Sequence, residues 1–352
     1  THNLNVSGGT EDITYNVALG FFDQEGIQVN SAYQRFNTRV NTVYQKNRIR
    51  IQTSLALIQD SRDIAQANLL SQAIVYRPTQ NGLDLDSFDE LEQGGDDVNR
   101  LGWVLESLRT ETNQKSVRTN ASFRLDYDIT KELKISSNVG LTTFNTFRKE
   151  YRPYQEIYNT QGILQSQPIN SYIDNRTNYN RSLNINAGLT YQKIIADDHK
   201  FTFTFFADRE RYQNDAFRAR RLEATNPDAR VLNLATGDQS VTSGFDYTTT
   251  RIGTIGRVLY GYKGRSLLSA SVRRDGSSLV SYLVSPKKQW GTFPGVSFAW
   301  NASDEPFWAK YKSTINNFKL RLSHGTIGND RVRPYSFIPG IEQNINYIGS
   351  SG

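Results

Sequence analysis

Apolar and polar residues alternate one by one in about a dozen segments of this 352-residue chain. Between residues 116 and 130 the odd-numbered positions are mainly apolar, as at Val117 and Phe123, and the even-numbered positions are polar, as at Arg118 and Asp126. Successive side chains of a strand point to opposite faces, so each segment has one apolar and one polar face. An antiparallel sheet of a soluble protein and the wall of a transmembrane β-barrel both satisfy this pattern.

Three further observations favour the barrel wall. The segments are roughly 10 to 15 residues long, whereas globular strands average ~5–6 and a tilted membrane-crossing strand needs ~9–11. Only 37% of the residues are hydrophobic and the mean hydropathy is −0.59, which suits a wall whose inner face meets water. Aromatic residues stand at the ends of the apolar stripes, as in the two girdles of a membrane barrel. They are Phe21, Phe22, Tyr127, Phe144, Phe147, Tyr191, Phe205, Phe206, Tyr260, Tyr262, Trp290 and Trp300.

The alternation predicts an all-β, transmembrane antiparallel β-barrel with twelve strands in this chain, treated as one unit over residues 1–352. The predicted strands are His2–Ser7, Ile13–Phe22, Arg35–Gln45, Arg48–Gln59, Ser116–Asp128, Leu133–Lys149, Asn178–Lys193, Lys200–Tyr212, Asp246–Tyr262, Ser266–Val280, Trp290–Trp300 and Phe318–Gly325. Short turns alternate with long connections, which we expect to be extracellular loops, the largest at 60–115, 150–177 and 213–245. Residues 60–73 have a helix-forming composition, and 301–317 is predicted to hold a short helix or inserted turn.

Composition excludes several classes of function. The chain has no cysteine, so disulfides, thiolate catalysis and cysteine metal sites are excluded. Its net charge is +6, but the 41 basic residues are dispersed among 35 acidic ones, which does not predict nucleic-acid binding. One stretch is locally basic and could line a channel or contact anionic lipopolysaccharide: Arg209, Arg211, Arg218, Arg220 and Arg221.

Catalytic and metal sites are not predicted. The three histidines are separate, and no metalloprotease or nucleophile-elbow motif is present. Acidic residues crowd the stretch 84–97, yet their spacing lacks the glycine and the bidentate glutamate of a calcium loop. A solvated acidic loop is the favoured interpretation, with weak calcium binding as the alternative.

Several blocks of sequence resemble one known family. They are 2–9 (HNLNVSGG), 22–27 (FDQEGI), 35–41 (RFNTRVN), 271–278 (SVRRDGSS), 290–297 (WGTFPGVS), 320–325 (LRLSHG) and 327–330 (IGND). In this order and spacing they resemble the barrel of SusC/RagA-type TonB-dependent transporters. The resemblance extends over essentially the whole chain.

The resemblance implies a large outer-membrane barrel of a Gram-negative, Bacteroidota-like bacterium, of about 22 strands with a plugged lumen. Twelve strands would then form a partial wall, without the plug domain, the TonB box and the closing C-terminal strands. The implied function is active import of oligosaccharides or peptides. The implied partners are a SusD-like lipoprotein lid, the TonB-ExbB-ExbD complex acting through the plug, and outer-membrane lipid or lipopolysaccharide. No cofactor or enzymatic activity is implied.

Two alternatives remain. A siderophore or cobalamin receptor of the TonB-dependent type would share the barrel but lack the lid. A structural or adhesive outer-membrane barrel would lack both plug and TonB box.

The candidate site residues are polar inner-face positions and loop aromatics. Alternation predicts that Arg118, Arg124, Asp126, Arg251 and Arg257 face inward and contact cargo or plug, with plug contact favoured because a plug is held by polar pairs. The extracellular loops carry aromatic residues that could contact cargo, namely Trp103, Tyr154 and Tyr158.

Overall fold

Twelve strands form one continuous antiparallel sheet in a computed structural model of the chain. The structure describes residues 1–66, 74, 106–154, 156, 163–164, 167–226, 230–280 and 289–336. The strands are β1 (His2–Gly9), β2 (Ile13–Glu25), β3 (Ala32–Lys46), β4 (Ile49–Asp63), β5 (Glu111–Asp128), β6 (Leu133–Arg152), β7 (Tyr172–Ile195), β8 (His199–Leu222), β9 (Gln239–Tyr262), β10 (Ser266–Ser277), β11 (Trp290–Asn301) and β12 (Lys319–Gly325). Each strand pairs with the next one in the sequence, so β1 and β12 are the edges of the sheet in this part of the chain.

Each of the twelve predicted segments overlaps one observed strand, which confirms the predicted all-β barrel wall. The connection between β11 and β12 contains two short 3-10 helices, Ala302–Asp304 and Pro306–Tyr311, as predicted for residues 301–317. Among the described residues, no helix has both the length and the apolar character required to cross a membrane.

The helix expected over residues 60–73 is wrong where it can be compared. Residues 60–63 are the last part of β4, and 64–66 are not helical. Register explains the difference, because Ile49–Asp63 pairs with β5 without interruption up to Asn113. Ile74 is helical, and the other residues up to 105, including the acidic stretch at 84–97, lie outside the described residues.

Strands β7, β8 and β9 are each 24 residues long, so the predicted loops 150–177 and 213–245 begin later and end earlier than expected. At ~3.3 Å per residue such a strand reaches about 80 Å, far more than the ~30 Å hydrocarbon core requires. The additional residues lie at the loop ends, where the outer face is no longer apolar. On β8 the outer-face residues from Phe201 to Ala207 are apolar, and Arg209 and Arg211 follow. We call the apolar part of the outer face the apolar band.

Cross-strand pairing shows which residues share a face of the sheet. Arg124 lies opposite Asn138, which lies opposite Asn186 and then Asp208, so these four residues lie on one face, the inner one. Their sequence neighbours lie on the outer face, where Val139 is 37% exposed.

The two aromatic girdles are only partly confirmed. Nine of the predicted girdle residues share the outer face, including Tyr127, Tyr191 and Tyr262. The other three, Phe22, Phe144 and Phe206, have the opposite parity and lie on the inner face. Phe22 and Phe206 each follow another aromatic residue, and two consecutive residues of a strand cannot both face lipid. Phe144 lies opposite Arg118, so it belongs to the polar face by register.

A charge placed on the outer face tests this assignment. Val139→Arg should destabilise the assembled wall by about 2–4 kcal/mol, because an arginine near the bilayer midplane must leave water. Asn138→Arg, one residue away on the inner face, should change stability by no more than about 0.5 kcal/mol. The fraction of each variant that reaches the folded outer-membrane form would be measured, and equal losses for both would contradict the assigned faces.

Candidate functional site

The inner face of the sheet is the candidate functional surface, because its charged residues pair with one another within the wall. Arg124 donates from Nε to Asp126 Oδ2 over 2.9 Å, and Ser136 Oγ donates to Asp126 Oδ1 over 2.6 Å. Asp126 is only 9% exposed, whereas Arg124 is half-exposed at its side chain. The carboxylate is therefore fixed by its neighbours, and the guanidinium remains accessible from inside.

A cavity of about 380 Å³ lies on this face, against β8 to β11. The segment that follows β12, residues 326–330, covers part of it. Its charged lining residues are Asp208, Glu210, Arg251, Arg273, Asp275 and Asp330. Four carboxylates and two guanidinium groups meet there, so the described part of the lining is acidic overall.

Ion pairs organise the cavity. Arg273 of β10 donates from Nε to Asp275 over 2.8 Å. Its Nη2 lies 3.0 Å from Oδ1 of Asp208 on β8. Arg251 holds Asp330 through two hydrogen bonds of 2.7 and 3.1 Å. Ser277 Oγ adds a third donor to Asp330 at 2.8 Å. The chain after β12 is therefore tied back to β9 and β10.

Gly253 makes the close approach of these groups feasible. It lies opposite both Asp208 and Asp275 in the register, and a Cβ atom there would overlap Arg273 and Asp275. A side chain at position 253 would therefore separate the ion pairs. Gly328 allows the segment after β12 to approach β11 closely, because a Cβ atom there would overlap the ring of Phe293.

A second charged cluster lies on the inner face beyond the apolar band, around Asp174 of β7. The Asp174 side chain is fully buried, and three guanidinium Nε groups donate to it, from Arg176 (3.0 Å), Arg218 (3.0 Å) and Arg220 (2.8 Å). Burial by itself would raise the pKa of the carboxyl, but the hydrogen bonds from these arginines outweigh it and hold the pKa of Asp174 well below its usual range.

Tyr172 connects this cluster to β6. Its ring centroid lies 4.0 Å from the guanidinium carbon of Arg220, and its hydroxyl donates to Glu150 Oε1 over 2.6 Å. Burial and the hydrogen bond to Glu150 raise the pKa of Tyr172, so the hydroxyl stays protonated. Arg148 donates to the other oxygen of Glu150 at 2.9 Å.

The loop after β8 covers the outer side of the same region. Tyr151 and Ile173 are opposite each other on β6 and β7, and both are buried beneath Ala224 and Ala235. Above the membrane, this small apolar cluster covers the outer face of the wall, as lipid does within the membrane. The strands therefore remain ordered where no bilayer supports them.

The predicted site residues do not converge on one cavity. Arg251 lies in the acidic cavity, and Arg124 and Asp126 form their own pair on β5. Arg118 stacks on Phe144 at 4.6 Å, and Arg257 donates to Ser269 Oγ over 3.0 Å. All five lie on the inner face, as the alternation predicts.

Of the three predicted loop aromatics, the structure describes Tyr154. Tyr154 lines a cavity of about 470 Å³ on the loop side, with Asn30, Glu111 and Arg230. Trp103 and Tyr158 lie outside the described residues. Contact of any of these residues with cargo or plug stays a prediction.

Most residues of the two charged clusters were not predicted as site residues, among them Asp174, Asp208, Arg273, Asp275 and Asp330. Parity on β8 and β10 could have placed Asp208 and Asp275 inward. Asp330 carries no such signal, because its position depends on how the chain turns after β12. Within the described ranges, no group of three or more His, Asp or Glu side chains is suited to hold a metal ion.

Curated relatives match most of this chain, whereas no family model matches it. TonB-dependent receptor P26 of Formosa agariphila is 25% identical over 94% of this chain and 33% of its own length. TonB-dependent receptor SusC of Bacteroides thetaiotaomicron is 19% identical over 98% of this chain and 35% of its own length. The chain thus spans about a third of the length of the curated relatives it matches.

Solved structures show the same wall. The RagAB peptide importer in its open-open state superposes with a TM-score of 0.75 at 17% identity, over 95% of this chain and 37% of that one. The ferric preacinetobactin receptor BauA of Acinetobacter baumannii gives a TM-score of 0.51 at 12% identity, over 86% of this chain and 43% of that one. Together with the curated relatives, these similarities confirm the resemblance to SusC/RagA-type TonB-dependent transporters.

Asp174 should be needed for the order of the upper wall. In Asp174→Asn the three arginines lose their shared anion, and we expect local stability to fall by about 1.5–3 kcal/mol. Because the folded pKa is lowered, the stabilisation is present above the unfolded value of about 3.9 and is lost as the pH falls below it. Hydrogen exchange of β7 and β8 at pH 7 and pH 3 would measure this, with the exposed Asp246→Asn as control. Exchange in Asp174→Asn identical to wild type at pH 7 would contradict it.

The contact between Arg251 and Asp330 should tie down the segment after β12. A double-mutant cycle of Arg251→Gln and Asp330→Asn should give a coupling of about 0.2–1 kcal/mol, since both side chains are partly exposed to solvent. The amides of residues 326–332 should exchange faster in either variant. Lys46→Gln, which removes an exposed ion pair at a turn, should leave those amides unchanged. Zero coupling would show that the ion pair does not hold the segment.

Proposed function

We propose, from the relationship of this chain to SusC/RagA-type TonB-dependent transporters, that the complete protein imports oligosaccharides or peptides across the outer membrane. The observation that carries the proposal is the match over 94% of the chain to a TonB-dependent receptor. Import is a binding and gating process, so it requires no bond chemistry from these residues.

The inner face supports this proposal physically. A wall that only anchored loops would need no charged cavity on its inside, whereas a transport path needs polar groups to hold a plug and to contact cargo. Here the half-exposed guanidiniums of Arg124 and Arg251 are available on the inner face, each fixed by a neighbouring carboxylate. We infer that they contact the plug domain, and that Arg118 and Arg257 take part in the same contact.

The proposed partners follow from the relatives. A lipoprotein lid of the SusD type would cover the extracellular end, and TonB-ExbB-ExbD would energise transport through the plug. Beyond the apolar band, Arg209 and Arg211 lie on the outer face of β8, where they would meet the phosphate groups of lipopolysaccharide. The protein would lie in the outer membrane of a Bacteroidota-type bacterium, the group to which the curated relatives belong.

Two alternative functions are separated by simple observations. A siderophore or cobalamin receptor would have no lid lipoprotein encoded beside it, and its uptake would be of an iron chelate or a corrinoid. A structural or adhesive barrel would contain neither plug nor TonB box in the complete protein.

Uptake measurements test the proposal directly. Deleting the gene should reduce uptake of the cognate oligosaccharide or peptide to background, and removing TonB should have the same effect because transport against a gradient needs energy. A matched control restores the gene with Lys46→Gln, an exposed turn residue whose loss should leave uptake unchanged. Uptake that persists without TonB would contradict active import and favour a passive or anchoring barrel.

A further inference from the structure

A cavity of about 360 Å³ lies on the inner face of β5 to β9, beyond the apolar band. Its inner-face lining includes Gln114, Arg148, Arg176, Asn178, Arg218 and Phe245. The volume is sufficient for one sugar ring or one amino-acid side chain. It is distinct from the acidic cavity, and the two share no lining residue.

Three arginines form a single row across this cavity. Arg148 lies directly opposite Arg176, which lies directly opposite Arg218, on three adjacent strands. Neighbouring strands are only ~4.8 Å apart, and like charges directly opposite each other destabilise a sheet. The repulsion within such a row must be offset, either by an internal counter-charge or by an anionic ligand.

Among the residues that the structure describes, the internal counter-charge is incomplete. One register position beyond the row lie Glu150 and Asp174, and Arg220 lies beside them in the same register. Four guanidinium groups therefore share two carboxylates, whose oxygens already accept from Arg148, Tyr172 and the three arginines around Asp174. The described residues of the site therefore keep a positive charge.

Arg148 shows where a further anion would bind. Its Nη2 donates to Glu150, but its Nε is buried and has no hydrogen-bond partner among the residues that the structure describes. A buried donor without a partner costs free energy, so a rotation of the Arg148 guanidinium that brings Nε to an oxyanion in the cavity would be favourable and would form a charge-assisted hydrogen bond. The arginine side chains are 29–39% exposed, so a ligand can reach them.

The lower rim of the cavity has the chemistry of a sugar site. Phe245 is 59% exposed on the inner face and stacks on Tyr247 at 6.2 Å and 11° between ring planes. Asn178 lies one register position from the arginine row and accepts from Asn180 and Asn214. An aromatic face beside amide groups suits the apolar face and hydroxyls of a pyranose ring, whereas a peptide would need free backbone groups to pair with.

We propose that this cavity binds an acidic sugar unit, with its carboxylate or sulfate on the arginine row and its ring against Phe245. The inference rests on the proposed import function, since it names the class of cargo. The proposal also accounts for the basic stretch of β8, whose arginines are divided between the two faces of the sheet. Arg218 and Arg220 point toward the cargo side, and Arg209, Arg211 and Arg221 lie on the outer face.

Binding to the complete protein, purified in detergent, tests the proposal. The probes are an oligogalacturonate of defined length, a sulfated galactan oligosaccharide, the carboxyl-reduced neutral form of the first, and an oligoglutamate peptide. We expect the acidic sugars to bind, the neutral form to bind at least about tenfold more weakly, and affinity to fall with added salt.

The variants locate the site. Arg148→Gln should weaken binding of the acidic sugar by about tenfold or more, and Arg148→Lys should recover part of it. Phe245→Ala should weaken the acidic and neutral sugars alike, because the ring contact does not depend on charge. Arg181→Gln, at an exposed outer-face arginine on β7, should leave affinity unchanged.

Three binding results would overturn the proposal. Equal affinity for acidic and neutral sugars, or no effect of Arg148→Gln, would exclude the arginine row as the site. Binding of oligoglutamate with the same dependence on Arg148, in the absence of acidic-sugar binding, would assign the cavity to acidic peptides. Failure of the import proposal looks different: acidic sugars would bind as expected but would not be taken up in a TonB-dependent manner.

Discussion

Backbone hydrogen bonding within the membrane is the constraint on which the rest of this structure depends. No water is available there to satisfy an N–H or C=O group, so each strand must pair along its whole membrane-spanning length with its neighbours. Uninterrupted pairing fixes the register, and the register fixes which side chains share a face. The polar clusters on the inner face follow from that register, as when Gly253 is placed between Asp208 and Asp275.

The inner wall is electrostatically divided. The acidic cavity at Asp208 and Asp275 and the basic row at Arg148, Arg176 and Arg218 lie in different rows of the same sheet. The basic row is farther from the short turns, on the side of the long loops. The charges of the described residues therefore attract an anion at the row of arginines and repel it at the acidic cavity.

The fold could be predicted where lipid imposes a period on the sequence, and it could not where lipid is absent. Within the apolar band the alternation located all twelve strands. Beyond the band both faces are polar, as in β7 from Asp174 to Asn178, so the extensions of β7 to β9 left no periodic signal. The inward parity of Arg118 and Arg251 was predictable for the same reason. The clusters around Asp174 and Asp330 were not, because they combine residues from several strands with a segment whose path no local pattern specifies.

The contact between Arg251 and Asp330 has a geometric consequence for the sheet. It joins β9 to the chain just after β12, across two intervening strands, and it does so on the inner side only. Residues 326–330 are thereby held over the inner surface of β10 and β11, beside Phe293. An exposed ion pair is worth about 1 kcal/mol at most, so the segment can detach, and this stretch of the wall has two inner surfaces, one with the segment docked and one with it released.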